Sequence, residues 1–490
     1  MFRNKIFYFL VIWGLGSFLF FYKLGNLPLL DPDEPRYAEV AREMAETKDL
    51  LIPHFNYEIR LKKPPLFYWL IFISFKIFGI NEFSARFPSA LSALGGVILT
   101  YLIGANLFAP FSGFLSSLIL VTSLEYLILS RLAITDMVLC FFFLSSIFSF
   151  IKYTKGKKKI FLYFFWISLA LSFLTKGPVG LLPLLVIFVF SLYTRDFSLF
   201  KELFTGSISA FLIFLFLSLF WYLLLIFKFG SSEMLNLFYE ETLERFLKGY
   251  IHREPLFYFL PILLIGFFPW TVFLPWLNRV SLHQKLLLIW WGVVFTFFSL
   301  SRSKVPTYVI SLFPCLSIIL GSFWNEVFSQ RIKYLGRKLS FSMVFLFLSM
   351  IFLWGGAKIF LQKKYGLMLP REAVYPLIFS LMIFLFFVFK RKPLFVFMSA
   401  LSLSLFSLIF FYRLFAVDLG NLRSTRALIF SLKEKIKKED ILIAYRFSKP
   451  SLVFYSQHKI IFLQNQEELL NYLGKKDKRI WILTDTPGVE

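Results

Sequence analysis

The sequence predicts an all-helical polytopic membrane protein that ends in a small α/β domain. Three observations lead there. Of 490 residues, 58% are hydrophobic and 21% aromatic, with 69 Phe, while only 17% are charged; average soluble domains carry about 25% charged residues. Apolar runs long enough to cross a bilayer, which takes about 20 residues, recur as far as residue 413. After Phe415 the hydropathy changes, and Asp418 to Glu490 mixes charges with short apolar pieces.

The first run, 6–22, follows Met1-Phe-Arg-Asn-Lys5 as a signal sequence would. The segment Lys23-Leu-Gly-Asn-Leu-Pro28 offers no small-residue cleavage site, however, so the run reads as an uncleaved first span. Further candidates lie at 84–104, 110–129, 133–152, 160–176, 177–194, 206–228, 256–276, 284–301, 305–324, 340–361, 373–390 and 393–413, about thirteen in all. The run Pro65 to Gly79 is too short to span and contains Lys76; it predicts an interfacial or re-entrant helix.

Charge fixes the register of crossings, because Lys and Arg accumulate in cytoplasmic loops. One alternating set of connections is basic and nearly free of acids: Arg3 and Lys5, Lys152 with Lys155 and Lys157 to Lys159, Arg195 and Lys201, Arg279 and Lys285, Arg331 to Lys338, and Lys390-Arg-Lys392. The other set mixes both signs: loops 23–83, 130–132, 229–255 and 362–372. The N-terminus is therefore expected in the cytoplasm, and the tail opposite it. The net charge of +24 belongs to this topology and does not predict nucleic-acid binding. Cys140 and Cys315 lie inside apolar runs as small hydrophobes.

The expected division is a membrane domain over 1–415, with outer loops 23–83 and 229–255, and a tail domain over 416–490. In the tail, extended pieces are predicted at Ile441–Tyr445, Ser451–Tyr455, Lys459–Leu463 and Arg479–Thr484, with helices over Ser424–Lys437 and Gln466–Leu473.

Polar residues within spans are costly in lipid, so their positions are informative. In the predicted orientation Glu125, Asp136 and Lys176 fall at outer ends of spans, Arg302 and Lys304 in an outward turn, and Tyr308 just inside the next helix. The outer loops add Asp31-Pro-Asp-Glu-Pro-Arg-Tyr37, Arg60-Leu-Lys-Lys-Pro-Pro65 and Glu240 to Glu254. Carboxylates beside several bases at a membrane surface suit an anionic lipid headgroup, because Arg and Lys hold phosphate oxygens by charge-assisted hydrogen bonds. If that phosphate also leaves in a reaction, the same cations stabilise the developing charge, and a carboxylate deprotonates or orients a hydroxyl acceptor.

The motifs Asp33-Glu-Pro-Arg-Tyr-Ala-Glu39, Ile52-Pro-His54, Lys63-Pro64 with Tyr68-Trp69, Thr175-Lys-Gly177, His252-Arg253 with Pro255, Phe268-Pro-Trp270 and Lys304-Val-Pro-Thr-Tyr308 resemble the aminoarabinose transferases. These belong to the GT-C class of polyprenyl-phosphate-sugar glycosyltransferases and are related to the protein O-mannosyltransferases. The resemblance runs from about residue 28 to 320, in matching order. It implies a GT-C fold and transfer of a sugar from undecaprenyl phosphate to lipid A or a related envelope acceptor, at the periplasmic face of the inner membrane; in-line attack by an acceptor that Asp33 orients is expected to invert the anomeric carbon. By the same resemblance Asp33 matches the essential first-loop aspartate and Asp136 an acid at the start of a span. Glu34 is grouped with the substrate-binding residues. Arg36 and Lys63 match residues facing the donor phosphate, Lys304 and Tyr308 a phosphate-side pair, and His252 and Arg253 a cavity-facing pair. The family carries Glu before the lysine of its Lys-Pro motif, where it contributes to a metal site. Here Lys62 stands at that position and Arg60 replaces a nearby Tyr, so no metal cofactor is assigned, and a neutral or acidic sugar is expected over a cationic one.

Other readings of the same residues stand beside these. Asp31, Asp33 and Glu34 suit the start of a helix, and capping is the leading reading for Asp31. Arg60, Lys62 and Lys63 suit snorkelling beside anionic lipid. Asp136 suits neutralisation by Lys176 or Arg131, and His252 a structural hydrogen bond. Glu240, Glu241 and Glu244 suit a solvated helix face. At the level of function the alternatives are transfer to protein Ser or Thr, or transport of a lipid-linked sugar without chemistry. Transporters commonly show repeated halves and midplane polar sites, neither of which is visible here.

Overall fold

The computed structural model describes residues 2–249, 253–277, 282–330, 393–414, 420, 423–437, 439–473 and 479–484, with scattered positions between 341 and 382. The first nine helices are α1 (Phe2–Phe21), α2 (Asp33–Thr47), α3 (Leu66–Phe78), α4 (Glu82–Leu107), α5 (Pro110–Val121), α6 (Leu124–Ser130), α7 (Thr135–Gly156), α8 (Ile160–Lys176) and α9 (Leu182–Thr194). Among the described residues five stretches are long and apolar enough to cross a membrane: Asn4–Phe21, Glu82–Leu107, Thr135–Gly156, Ile160–Thr194 and Ile208–Phe229. Two bent pairs, α5 with α6 and Phe259–Gly266 with Trp270–Trp276, raise the number to seven if each is one span. Shorter apolar helices at Lys285–Leu300, Leu312–Phe328 and Pro393–Leu405 coincide with further runs read from the sequence. The runs expected over 340–361 and 373–390, and the basic segments 331–338 and 390–392, fall largely outside the described residues.

The chain divides into two compact units. One comprises Met1–Tyr22, Ser89–Arg131 and Thr135–Arg413; the other comprises Lys23–Pro88, Leu132–Ile134 and Leu414–Glu490.

In the first unit several apolar runs are broken where polar side chains or prolines intervene. Thr122 and Ser123 turn their hydroxyls back onto the carbonyls of Leu118 (2.5 Å) and Ile119 (2.8 Å), competing with the helical ladder, and α5 and α6 meet at 68°. The segment after Gly266 reaches Pro269, which has no N–H to continue a helix, and the pair there is bent by 110°. The two breaks are joined. The Leu124 N–H donates to the Phe268 carbonyl at 3.2 Å, and Trp270 Nε1 donates to Thr122 Oγ1 at 3.0 Å. The apolar run over 160–194 is interrupted after Lys176 by Gly177 at φ +66° and a 3-10 turn, Gly177–Leu181. Gly180 lies so close to the backbone of Ser172 and Phe173 that a Cβ would come within 2.4 Å of it. Arg131, after α6, donates to the carbonyls of Leu19 (2.7 Å) and Tyr22 (2.8 Å), at the end of α1.

The second unit gathers the first loop and the tail. Strands β1 (His54–Phe55) and β2 (Glu58–Ile59) form an antiparallel hairpin. Strands β3 (Ile441–Tyr445), β4 (Ile460–Leu463) and β5 (Ile480–Thr484) form a parallel sheet in the order β4-β3-β5. Helices Pro450–Ser456 and Gln466–Leu473 supply the crossovers that parallel strands require. Ser451–Tyr455, expected to be extended, is therefore helical: Pro450 opens the segment at the first helical position, which suits its fixed φ, and Gln457, at φ +55°, ends it by donating to the Val453 carbonyl. A small core of Ile429, Leu442, Ala444, Leu452, Val453, Ile460 and Leu483 takes in Phe55 from the hairpin. The α2 helix buries Val40 and Met44 against Tyr68 of α3, while α3 leaves Ile73 and Ile77 exposed.

Candidate active site

In the second unit the predicted residues cluster at the start of α2. Asp33 lies in its first turn with 58% of its side chain exposed, and Arg36 Nη1 donates to it at 3.1 Å, one turn on. Neighbouring residues fix this turn in place. Glu34 is buried, and both its oxygens are engaged: Arg86 Nε and Nη2 each donate at 2.8 Å, the Leu30 N–H at 2.9 Å and the Ala133 N–H at 2.7 Å. Arg86, itself buried, also donates to the carbonyls of Leu24, Leu27 and Pro28. Glu34, expected to bind substrate, thus holds together the chain on either side of Asp33.

Asp31 does not cap α2, which has no side-chain cap. Its carboxylate accepts instead from the Ser451 N–H (2.8 Å) and the Ser451 hydroxyl of the tail. The reason is reach: cap geometry leaves the carboxylate over the helix's own first amides, whereas here it points at another helix N-terminus. Burial pushes the Asp31 carboxyl above its ordinary value, although the Ser451 hydrogen bonds pull it down.

Lys63 is half-buried and Lys62 exposed. Arg60 lays its guanidinium over the Phe55 ring at 5.8 Å, and its buried Nε has no hydrogen-bond partner among the described residues. Further along α2, Arg42 is gripped bidentately by Glu39 at 2.8 Å. Glu43 is pushed up to about 8 by burial and by the neighbouring Glu39 charge.

In the first unit Asp136, in the first turn of α7, forms a 2.6 Å ion pair with Lys176 at the end of α8, both largely buried. This is one of the two partners foreseen for it; Arg131 turns to the end of α1. The Lys176 ammonium also stands 4.3 Å from the centre of the Tyr308 ring, and Arg245 Nη2 donates to the Tyr308 hydroxyl at 3.4 Å. Arg245 pairs in turn with Glu241 at 3.4 Å. Two acids, Asp136 and Glu241, two cations, Lys176 and Arg245, and Tyr308 therefore form one connected array in which each cation is paired with an acid. Tyr308 lies in a 3-10 turn, Pro306–Val309, rather than inside the next helix, which starts at Leu312; Pro306 at the first position favours that turn.

Lys304 is buried and donates to the carbonyls of Ser301 (2.6 Å) and Glu254 (3.0 Å). Burial holds its ammonium below the usual lysine value, with the Glu254 charge opposing. Arg253 pairs with Ser303 as an isolated β-bridge and donates from Nε to the Gly249 carbonyl at 2.7 Å. The segments around 249–254 and 301–304 are stapled together by these contacts. His252 lies outside the described residues. Of the acids read as a solvated face, Glu241 and Glu244 pair with Arg245 and Lys248 across a π-helical turn, Glu240–Glu244.

Arg86 and Arg245 are not among the site residues that the sequence predicts. The signal for Arg86 was its place in the apolar stretch Phe83 to Ala90, where an unpaired guanidinium is costly. Arg245 had no signal beyond a charged loop.

Comparison with known proteins adds to this geometry. Residues 10–234 match the family described as dolichyl-phosphate-mannose-protein mannosyltransferase. An uncharacterized protein of Aquifex aeolicus is 33% identical over 365 residues, covering 73% of this chain and 80% of that one. The undecaprenyl phosphate-alpha-4-amino-4-deoxy-L-arabinose arabinosyl transferase 2 of Proteus mirabilis is 30% identical over 321 residues, 62% of this chain and 57% of the relative. The chain thus spans under two thirds of the length of the arabinosyl transferases it matches. Among solved structures, ArnT from Cupriavidus metallidurans bound to undecaprenyl phosphate superposes with a TM-score of 0.76 at 22% identity, over 96% of this chain and 89% of that one. This likeness shows a shared fold.

Proposed function

We propose that this chain, a relative of the aminoarabinose transferases among the polyprenyl-phosphate-sugar glycosyltransferases, moves a sugar from undecaprenyl phosphate to lipid A or a related envelope lipid. The observation that carries the reading is Asp33: an exposed carboxylate paired with Arg36 on a helix turn whose flanking residues are held by hydrogen bonds, to Arg86 on one side and to Ser451 on the other. An acid presented on a fixed frame is what a hydroxyl acceptor needs for orientation and deprotonation.

In this proposal Arg36 and Lys63 face the donor phosphate and Asp33 orients the acceptor for in-line attack at the anomeric carbon, so the product has inverted configuration. The proposal includes the finer topology: about thirteen spans, the N-terminus in the cytoplasm, and loop 23–83 and the tail in the periplasm of the inner membrane. It also includes turnover without a divalent metal, on the ground that Lys62 stands where the resembled family carries Glu.

Purified protein supplied with a panel of undecaprenyl-phosphate-linked sugars and lipid A tests the reading. Transfer of one sugar with inversion is expected, unchanged by EDTA. Retention of configuration would overturn single displacement, and no transfer from any donor would overturn the functional reading.

A further inference from the structure

The tail carries no motif tied to chemistry, yet its contacts converge on a few backbone atoms just ahead of Asp33. The Leu29 N–H donates to the Tyr455 hydroxyl at 2.8 Å. The Asp31 N–H donates to the Arg423 carbonyl at 2.9 Å, and the Asp31 carboxylate takes both the N–H and the hydroxyl of Ser451. These contacts are cross-braced. Ser451 Oγ also accepts from the Thr425 N–H at 3.0 Å, while Tyr455 donates to Glu82 Oε1 at 3.1 Å, an oxygen that Arg426 Nε also meets at 3.1 Å. Deeper in the loop, Asn56 and Ile460 exchange two hydrogen bonds of 2.8 Å.

Only Pro32 separates Asp31 from Asp33. The tail therefore grips the chain ahead of Asp33, while Arg86 and the Ala133 N–H grip Glu34 behind it. Asp33 itself remains exposed between a half-buried anchor and a buried one. One anchor lies within the N-terminal half of the sequence; the other comes from more than 400 residues away.

We propose that the tail positions Asp33 for chemistry, with Ser451 and Tyr455 as positioning residues that touch neither donor nor acceptor. The inference rests on the glycosyl-transfer reading for its activity readout. A charge-assisted bond to a carboxylate is about twice as strong as a neutral one, so Ser451 carries the larger share. Its loss lets the start of α2 fray, which displaces the reacting carboxylate by the fraction of an ångström to which catalysis is sensitive.

The test uses the full chain in detergent, comparing wild type with Ser451→Ala, Ser451→Thr and Tyr455→Phe. Three quantities are read: kcat with whichever donor of the panel is turned over, binding of undecaprenyl phosphate alone, and hydrogen exchange at the amides of residues 36–38, the first in α2 with helical acceptors. Ser451→Ala is expected to lower kcat about tenfold, leave undecaprenyl phosphate binding within twofold, and speed exchange at 36–38 about tenfold. Ser451→Thr restores all three to within twofold, and Tyr455→Phe gives a smaller loss in the same direction. The exchange readout stands even if no donor is turned over, which separates a failure of this inference from a failure of the functional reading. Unchanged exchange at 36–38 in both Ser451→Ala and Tyr455→Phe would overturn the proposal, as would an equal rise in exchange throughout the second unit.

Discussion

Asp33 and Glu34 are adjacent acids with opposite fates, and burial separates them. Asp33→Asn should lower kcat by about 10²- to 10⁴-fold, the range of a lost acid–base contribution, while undecaprenyl phosphate still binds; transfer at the wild-type rate would remove Asp33 from the reaction. Glu34→Gln should act on folding. It leaves Arg86 uncompensated in a buried site, a loss of about 3–5 kcal/mol, read as a lower melting temperature and poor recovery of folded protein. Glu43 supplies a pH prediction. Its folded pKa is raised above the unfolded value of 4.5, so the folded state binds the extra proton and stability declines as pH climbs from about 4.5 towards 8. Glu43→Gln, which mimics the protonated form, should melt higher than wild type at pH 8 and no higher at pH 4. The sequence displayed Asp33, Arg36 and Lys63 because they stand in a dense loop motif. It concealed the division of labour between Asp33 and Glu34, because that depends on Arg86, 52 residues further on.

At the scale of elements, periodicity and run length located the long helices and the tail's three strands, since both signals are local. Breaks within runs were harder to read. The run 110–129 is uniformly apolar apart from small hydroxyl residues and Glu125, and its bend at Thr122–Ser123, where the hydroxyls turn back on the helix, is joined by hydrogen bonds to a second broken segment. Where these two breaks meet, Gly266 lies against Glu125, whose two buried oxygens have no hydrogen-bond partner among the described residues. A Cβ on Gly266 would come within 2.3 Å of Glu125 Oε2. Gly266→Ala should therefore destabilise the fold by about 1–3 kcal/mol, the usual penalty of overpacking. Gly266→Ala combined with Glu125→Ala should recover part of that loss in a thermal-melt comparison. Ser451–Tyr455 reads as extended because five residues are too few for a helical repeat to declare itself, although Pro450 opens the segment as a helix.

For the molecule as a whole, the alternation of basic and mixed loops carries the proposed topology. Cysteines placed at positions 58 and 391 should react with a membrane-impermeant maleimide on opposite sides of the inner membrane; labelling on one side would overturn the arrangement. Hydropathy did not encode the gathering of the tail with loop 23–88 into one compact unit, because the pairing is made by single hydrogen bonds such as Asp31 to Ser451 and by Phe55 entering the tail's core. Arg131 has a consequence of another kind. By holding carbonyls at the end of α1 from the end of α6, it denies the first helix any independent sliding along its axis. In bilayers thicker or thinner than the native one, α1 must then accommodate the mismatch by tilting or by deforming the surrounding lipid.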